Sequence, residues 1–262
     1  MRLFLLVVEY ILVVLNLGKT GKKWILMTKA KPNDIVALGI CAHPDDLDIG
    51  AGGTFAKWAD EGASCYYLIC TNGGSGSIYP DMTRKKLIET RRREQKAAAK
   101  VLGVKEVFFL GYNDTELVVD RKLKGDLVWW IRKLKPDIVV TTDPTLIYSK
   151  SGFINHSDHR AAGLATIDAI YPLAKNAFAF REFEMDGLKP HKVKKLYIIN
   201  FADGNEIVDI TKFMDKKLKA LAQHQSQALG HNPDFPINRG RLIGRRSKCK
   251  FGEAFVKIEL SR

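Results

Sequence analysis

The stretch Ile35-Val36-Ala37-Leu38-Gly39-Ile40-Cys41-Ala42 runs directly into His43-Pro44-Asp45-Asp46. A strand wet on one face alternates apolar and polar residues, and this one does not alternate. It therefore reads as a strand covered on both faces, the signature of a parallel sheet held between helices. The abrupt change at His43 marks where the strand ends and polar chemistry begins.

Downstream, short apolar runs alternate with amphipathic stretches. Helices are expected over about 50–61, 84–102, 122–134, 159–171 and 212–225, the last with Met214, Leu218 and Leu221 on one face. Strands are expected over 65–71, 107–110, 138–142 and 196–200. Gly103 caps the second helix and Pro136 stops the third. Strand–helix alternation predicts an α/β domain, a mostly parallel sheet with helices on both faces. Ligands of such sheets collect beyond the C-terminal strand ends, so the polar residues just after the strands are the ones to examine.

Length and composition fit this reading. A chain of 262 residues suits one α/β domain, here 28–262, behind an apolar extension, 1–27. Hydrophobic residues at 46% exclude a disordered chain. Cys41, Cys65, Cys70 and Cys249 form no CxxC pair, which argues against a disulfide framework or a thiolate metal site and for a reduced, cytoplasmic setting. The net charge of +13 collects in Arg84–Lys96 and in Arg239–Lys250, read as a solvated helix face and a basic C-terminal loop. No helix-turn-helix, zinc-finger or RNP-like pattern accompanies it, so no sequence-specific nucleic-acid partner is expected. Residues 3–17 are apolar except Glu9 and Asn16, shorter than the ~20 residues of a spanning helix. Two readings stand for this segment: a weak membrane anchor flanked by Lys19, Lys22 and Lys23, or an over-extended start with Met27 as the true beginning.

The second polar cluster is Asn155-His156-Ser157-Asp158-His159, beyond the fourth strand. Each cluster alone has a plain alternative, a helix cap or a polar turn. Together, at two strand ends of one sheet, they supply two imidazoles and a carboxylate, and a catalytic zinc takes three protein ligands of this kind. His43, Asp46 and His159 fill those positions. A metal lowers the pKa of its water towards ~7, but the proton still needs an acceptor, and Asp45 is the spare carboxylate. His156 then stabilises an oxyanion or protonates a leaving amine. Asp158 orients His156 or a ligand histidine. Gly50-Ala51-Gly52-Gly53 lacks the full GxGxxG pattern, and 43–46 fills the turn a pyrophosphate would need.

His43-Pro44-Asp45-Asp46 with Gly50-Ala51-Gly52-Gly53-Thr54, and His156-Ser157-Asp158-His159, resemble the PIG-L / LmbE-like family of zinc-dependent N-acetylglucosaminyl deacetylases. Weaker likenesses are Thr71-Asn72-Gly73-Gly74, Arg91 and Glu94, Gly111-Tyr112-Asn113-Asp114, and 224–227. The resemblance implies a Rossmann-like three-layer fold, zinc (or iron(II), which suits the same donors) on His43, Asp46 and His159, Asp45 as base and His156 as oxyanion or acid group. It associates Arg91 and Asp114 with the substrate pocket; His224 is either a satisfied helix histidine or a pocket residue. The implied reaction is removal of acetyl from an N-acetylglucosamine-containing substrate. Two rivals are an amidase for larger thiol-sugar conjugates and a basic polyanion- or membrane-binding module with a vestigial metal site. The chain departs from the family at Leu47, where many relatives carry Glu, and at Ser157, where Pro is common; neither removes a ligand or the base. Nothing in the sequence sets the oligomeric state.

Overall fold

Ala37, Leu38, Ile40 and Cys41 are all sealed from solvent, consecutive residues pointing to opposite faces. Their strand, β3 (Val36–Cys41), is the centre of the sheet. The computed structural model describes residues 10–16, 22–28, 35–76, 81–149 and 152–260, in two units, Met1–Asp34 and Ile35–Arg262. In the first, β1 (Tyr10–Asn16) and β2 (Lys22–Thr28) pair antiparallel, from Tyr10 opposite Thr28 to Asn16 opposite Lys22. Residues 1–9 and 17 of the candidate anchor lie outside the described residues. Among the described residues no helix is long and apolar enough to cross a membrane.

The second unit runs β3, α1 (Asp46–Asp60), β4 (Ser64–Thr71), α2 (Arg84–Leu102), β5 (Glu106–Tyr112), α3 (Arg121–Leu134), β6 (Ile138–Thr142), α4 (Ser157–Asp168), β7 (Lys195–Ile199), β8 (Glu206–Asp209), α5 (Met214–Leu221), α6 (Asp234–Arg245) and β9 (Gly252–Glu259). The sheet order is β5-β4-β3-β6-β7-β9-β8. The first five strands are parallel; β9 runs antiparallel to both β7 and β8. One core joins Ala37, Cys41, Tyr67 and Ile69 to Leu47 and Phe55 of α1 and Leu102 of α2. The alternate residues Leu38, Ile40, Leu68 and Val139 are equally buried, so the other face is covered too. On that side α3 and α4 pack together. This is the expected three-layer, mostly parallel α/β architecture.

Several boundaries differ from the sequence reading. α1 begins at Asp46 rather than 50, and α4 at Ser157 rather than 159, so both polar clusters enter helices. After Asp168 the chain loosens into a π-helical turn, Ala169–Ala174, that carries Pro172. The expected helix 212–225 breaks into α5 flanked by 3-10 turns, Thr211–Phe213 and Gln225–Gln227. The basic C-terminal loop is instead a helix, α6, which holds Arg239, Arg241 and Arg245. Pro236 and Gly240 disguise it, although proline is harmless in a first turn, where its missing N–H has no partner to lose. Gly103 ends α2 with φ of 85°, a left-handed cap that glycine adopts without strain.

Candidate active site

The chain leaves β3 towards β4 on one side, and leaves β6 towards β7 on the other. β3 and β6 are neighbours, so the sheet changes direction between them and a crevice opens over their C-terminal ends. Residues 43–46 line one side of it and 155–159 the other. Thr142, at the end of β6, holds the second cluster by donating its hydroxyl to His159 O at 2.7 Å.

His43 Nδ1 lies 3.1 Å from His159 Nε2, His159 Nε2 lies 3.1 Å from Asp46 Oδ1, and His43 Nδ1 lies 3.7 Å from Asp46 Oδ2. These atoms are close enough together to hold a metal ion. The outer ring nitrogens make the fit more specific. His159 Nδ1 is 3.1 Å from Asn155 Oδ1, an acceptor, so it carries the proton and Nε2 presents its lone pair inward. His43 Nε2 lies 2.9 Å from Asp114 Oδ1 and 3.3 Å from Asp158 Oδ2, ion-pair contacts that place its proton outward as well. Two imidazole lone pairs and a carboxylate facing one point repel one another unless a cation joins them. The same residues therefore pass a test of donor chemistry for a divalent ion.

The surrounding carboxylates favour positive charge at the same point, which a bound cation would supply in place of an extra proton. Burial opposes charge on His43, but Asp114, Asp158 and Asp46 overcome it and lift the imidazole to about 10. Burial likewise opposes ionised Asp46, and His159 with His43 overcomes it, holding that carboxyl well below the usual range. Asp45 is different. Burial pushes it up to about 6, with Arg91 pulling the other way and Asp46 adding to the rise. The two adjacent carboxyls are thus split in proton affinity, one a permanent anion and one poised near neutrality.

The backbone separates them as well. Asp45 has φ of 98°, a left-handed conformation uncommon outside glycine, and its N–H is held by Gln95 Oε1 at 2.6 Å. Asp46 Oδ2 turns back to accept from His43 N at 2.8 Å. Asp45 Oδ2 instead meets Arg91, whose Nη2 lies 3.1 Å away and also donates to Pro44 O at 2.8 Å. Arg91 Nη1 reaches Gly73 O at 3.0 Å. Arg91, linked by resemblance to the substrate pocket, is buried and clamps the loop that carries Asp45.

His156 caps α4: its Nδ1 accepts from Asp158 N at 3.1 Å. That bond leaves Nε2 as the protonated, half-exposed nitrogen. Burial, then the neighbouring His43, keeps the ring below its usual pKa, so it is a neutral donor. Asp158 is fully buried; its carboxylate accepts from Thr115 N at 2.8 Å and faces His43 more closely than His156, whose Nδ1 is 4.0 Å away. Asp114 accepts from Ser75 N at 2.9 Å, tying the glycine-rich loop to His43. His224 is completely buried, Nε2 2.7 Å from Asp48 Oδ2. Asp48 in turn accepts from Gln95 Nε2 at 2.8 Å, so a polar chain runs His224–Asp48–Gln95 to the Asp45 main chain. Asp48 and Gln95 went unnoticed in the sequence, and Asn155, quoted with the second cluster, was given no role. The available signal was spacing: Asp48 lies one helical turn from Asp45, Gln95 one turn from Arg91, and Asn155 one turn before His159.

A family profile described as "PIG-L: GlcNAc-PI de-N-acetylase" matches residues 38–170. A diacetylchitobiose deacetylase of Thermococcus kodakarensis is 37% identical over 196 residues, 74% of this chain and 71% of that protein. The solved N,N'-diacetylchitobiose deacetylase of Pyrococcus horikoshii, bound to an inhibitor, superposes with a TM-score of 0.78 at 31% identity, covering 86% of this chain and 84% of that one. The 4-carboxy-2-hydroxymuconate hydratase GalB of Pseudomonas putida shares the fold, with a TM-score of 0.71 at 22% identity over 86% of this chain and 96% of that one. Fold and site define an enzyme, an amide hydrolase acting on N-acetyl groups. The chain belongs to the PIG-L family.

Proposed function

We propose that this enzyme removes the acetyl group from the amine of an N-acetylglucosamine-containing saccharide, with diacetylchitobiose the first candidate. The observation that carries the reading is the inward convergence of His43 Nδ1, His159 Nε2 and Asp46, with the separate carboxylate of Asp45 left over. The relatives named for diacetylchitobiose support the substrate class. His43, Asp46 and His159 would hold a divalent ion, zinc by its donor set, although iron(II) suits the same groups. When bound, that ion supplies Lewis acidity and a more acidic water.

The protein's own groups do the rest. Asp45, ionised near neutral pH, takes a proton from the attacking water as oxygen adds to the acetamide carbonyl carbon. His156 Nε2–H donates to the developing oxyanion, the first of the two roles read from the sequence. The carbon–nitrogen bond breaks as the proton on Asp45 passes to the departing nitrogen. Acetate and a free amino sugar result. Arg91 and Gln95 keep Asp45 in its left-handed backbone; Asp114 and Asp158 keep the His43 proton on its outer nitrogen.

Metal analysis of purified protein, followed by acetate release from free GlcNAc, diacetylchitobiose and GlcNAc-inositol, tests the reading. Asp45→Ala is expected to retain about one equivalent of metal and to lose turnover by roughly 10²-fold or more, the scale of a lost general base. His159→Ala is expected to lose the metal and the activity together. Full turnover by a metal-free protein would refute the mechanism, and release only from GlcNAc-inositol would refute the saccharide preference.

A further inference from the structure

A cavity of about 240 Å³ lies between α1, α5, α6 and β9, and shares no residue with the catalytic cluster. Ile49, Ile210, Leu221, Leu229, Phe235 and Ile243 give it an apolar lining. Two kinds of charge border it, and they are not equivalent. Lys217 and Glu253 form a buried pair that satisfies itself. Lys217 Nζ donates to Glu253 Oε1 and to Ile49 O, and Glu253 accepts from Gly53 N at 3.0 Å and Thr54 N at 2.7 Å.

Arg239 has no such closure. Its guanidinium lies between two phenyl rings, 4.1 Å from the Phe201 centroid and 4.2 Å from that of Phe235. Among the described residues it has neither an acidic partner nor a hydrogen bond. Burial, with no acid to offset it, pushes Arg239 below the usual arginine range. Stacking holds the faces of a guanidinium and leaves its N–H edges free. Those edges match a carboxylate fork, and a half-desolvated cation gains most from such a partner. The volume lies below the ~300 Å³ of ordinary ligand pockets, which limits the apolar body to a short acyl chain or one ring.

We propose that this cavity binds a small amphipathic anion, with Arg239 taking the carboxylate and the lining between α1 and α6 taking a short acyl or aromatic body. Octanoate is the probe, with octanol supplying the body without the charge and acetate the charge without the body. Calorimetric titration of the metal-loaded enzyme is expected to show octanoate binding at least tenfold tighter than either control. Arg239→Gln should weaken octanoate roughly 10- to 100-fold, the worth of a charge-assisted hydrogen bond, and leave octanol unchanged. Leu229→Trp, which fills the cavity and spares Arg239, should abolish binding of octanoate and octanol alike; it decides the matter if Arg239→Gln fails to fold. Octanoate no tighter than octanol overturns the proposal. So does octanoate binding that survives either substitution in a folded protein, the outcome expected if the carboxylate simply sits on the catalytic ion.

Discussion

Asp45 combines an unusual backbone, a buried carboxyl and an arginine partner. The role of base proposed for it requires the ionised form, so activity is expected to be lost as pH falls through its pKa. Arg91 lowers that pKa against the effects of burial and Asp46. Arg91→Met is therefore expected to move the acid limb of the kcat/KM–pH profile to higher pH and to cut activity at pH 6 far more than at pH 8. An unshifted limb would deny the coupling. The proposed ligands His43 and Asp46 and the proposed base Asp45 were legible because they directly follow a strand, whose end is readable from hydrophobicity alone; His159 lies beyond a loop after β6 and was read from the polar cluster that it closes. Arg91's grip on Asp45 was not, since the two lie 46 residues apart and meet only when α2 packs beside α1. Asp158 was read as orienting His156 or a ligand histidine, with the choice left open. It faces His43 of the other cluster across the crevice, and no local spacing carries that information.

At the scale of elements, α1 matters most, because it begins with Asp46 and is gripped halfway along by Lys217 and Glu253. Gly53 lets that grip close: a Cβ there would stand 2.8 Å from Ile210 Cβ. Removing one member of a buried pair strands the other. Lys217→Met is expected to destabilise the protein by about 3–5 kcal/mol, and Lys217→Met combined with Glu253→Gln to recover part of that loss. Urea unfolding measures both; a double variant as weak as the single would show that the pair does not act as a unit. The parallel strands were readable because they are uniformly apolar. β9 was not, because Glu253, Lys257 and Glu259 interrupt it, and the first of these is accommodated in the core by Lys217 and the α1 amides.

At the scale of the molecule, the fold alone does not choose the reaction, since a hydratase shares it. The choice lies in the two loops at the switch between β3 and β6. The opposite end of the sheet serves stability. There Asp137 accepts from Val36 N at 3.0 Å and lies 2.8 Å from Lys194 Nζ, joining the starts of β3, β6 and β7. Burial raises its pKa, but these two partners outweigh it and leave the carboxyl below its usual value. A depressed carboxylate contributes stability that is complete above the unfolded pKa of ~3.9 and lost as pH falls through the folded value. Asp137→Asn is expected to cost about 1 kcal/mol at pH 7, with the gap from wild type closing below pH 4. Thermal melts at pH 7 and pH 3 check this; a gap that widens in acid would contradict it.

The reversal of strand order has a temporal side. His43 and Asp46 sit at the end of β3, but His159 joins them only when β6, which comes after β5 in the chain, docks against the opposite flank of β3 from β4. A chain in which β6 has not docked would offer a metal ion two of the proposed donors rather than three. Uptake of metal by a refolding chain should thus trail the appearance of helix, and the lag would time the homecoming of β6.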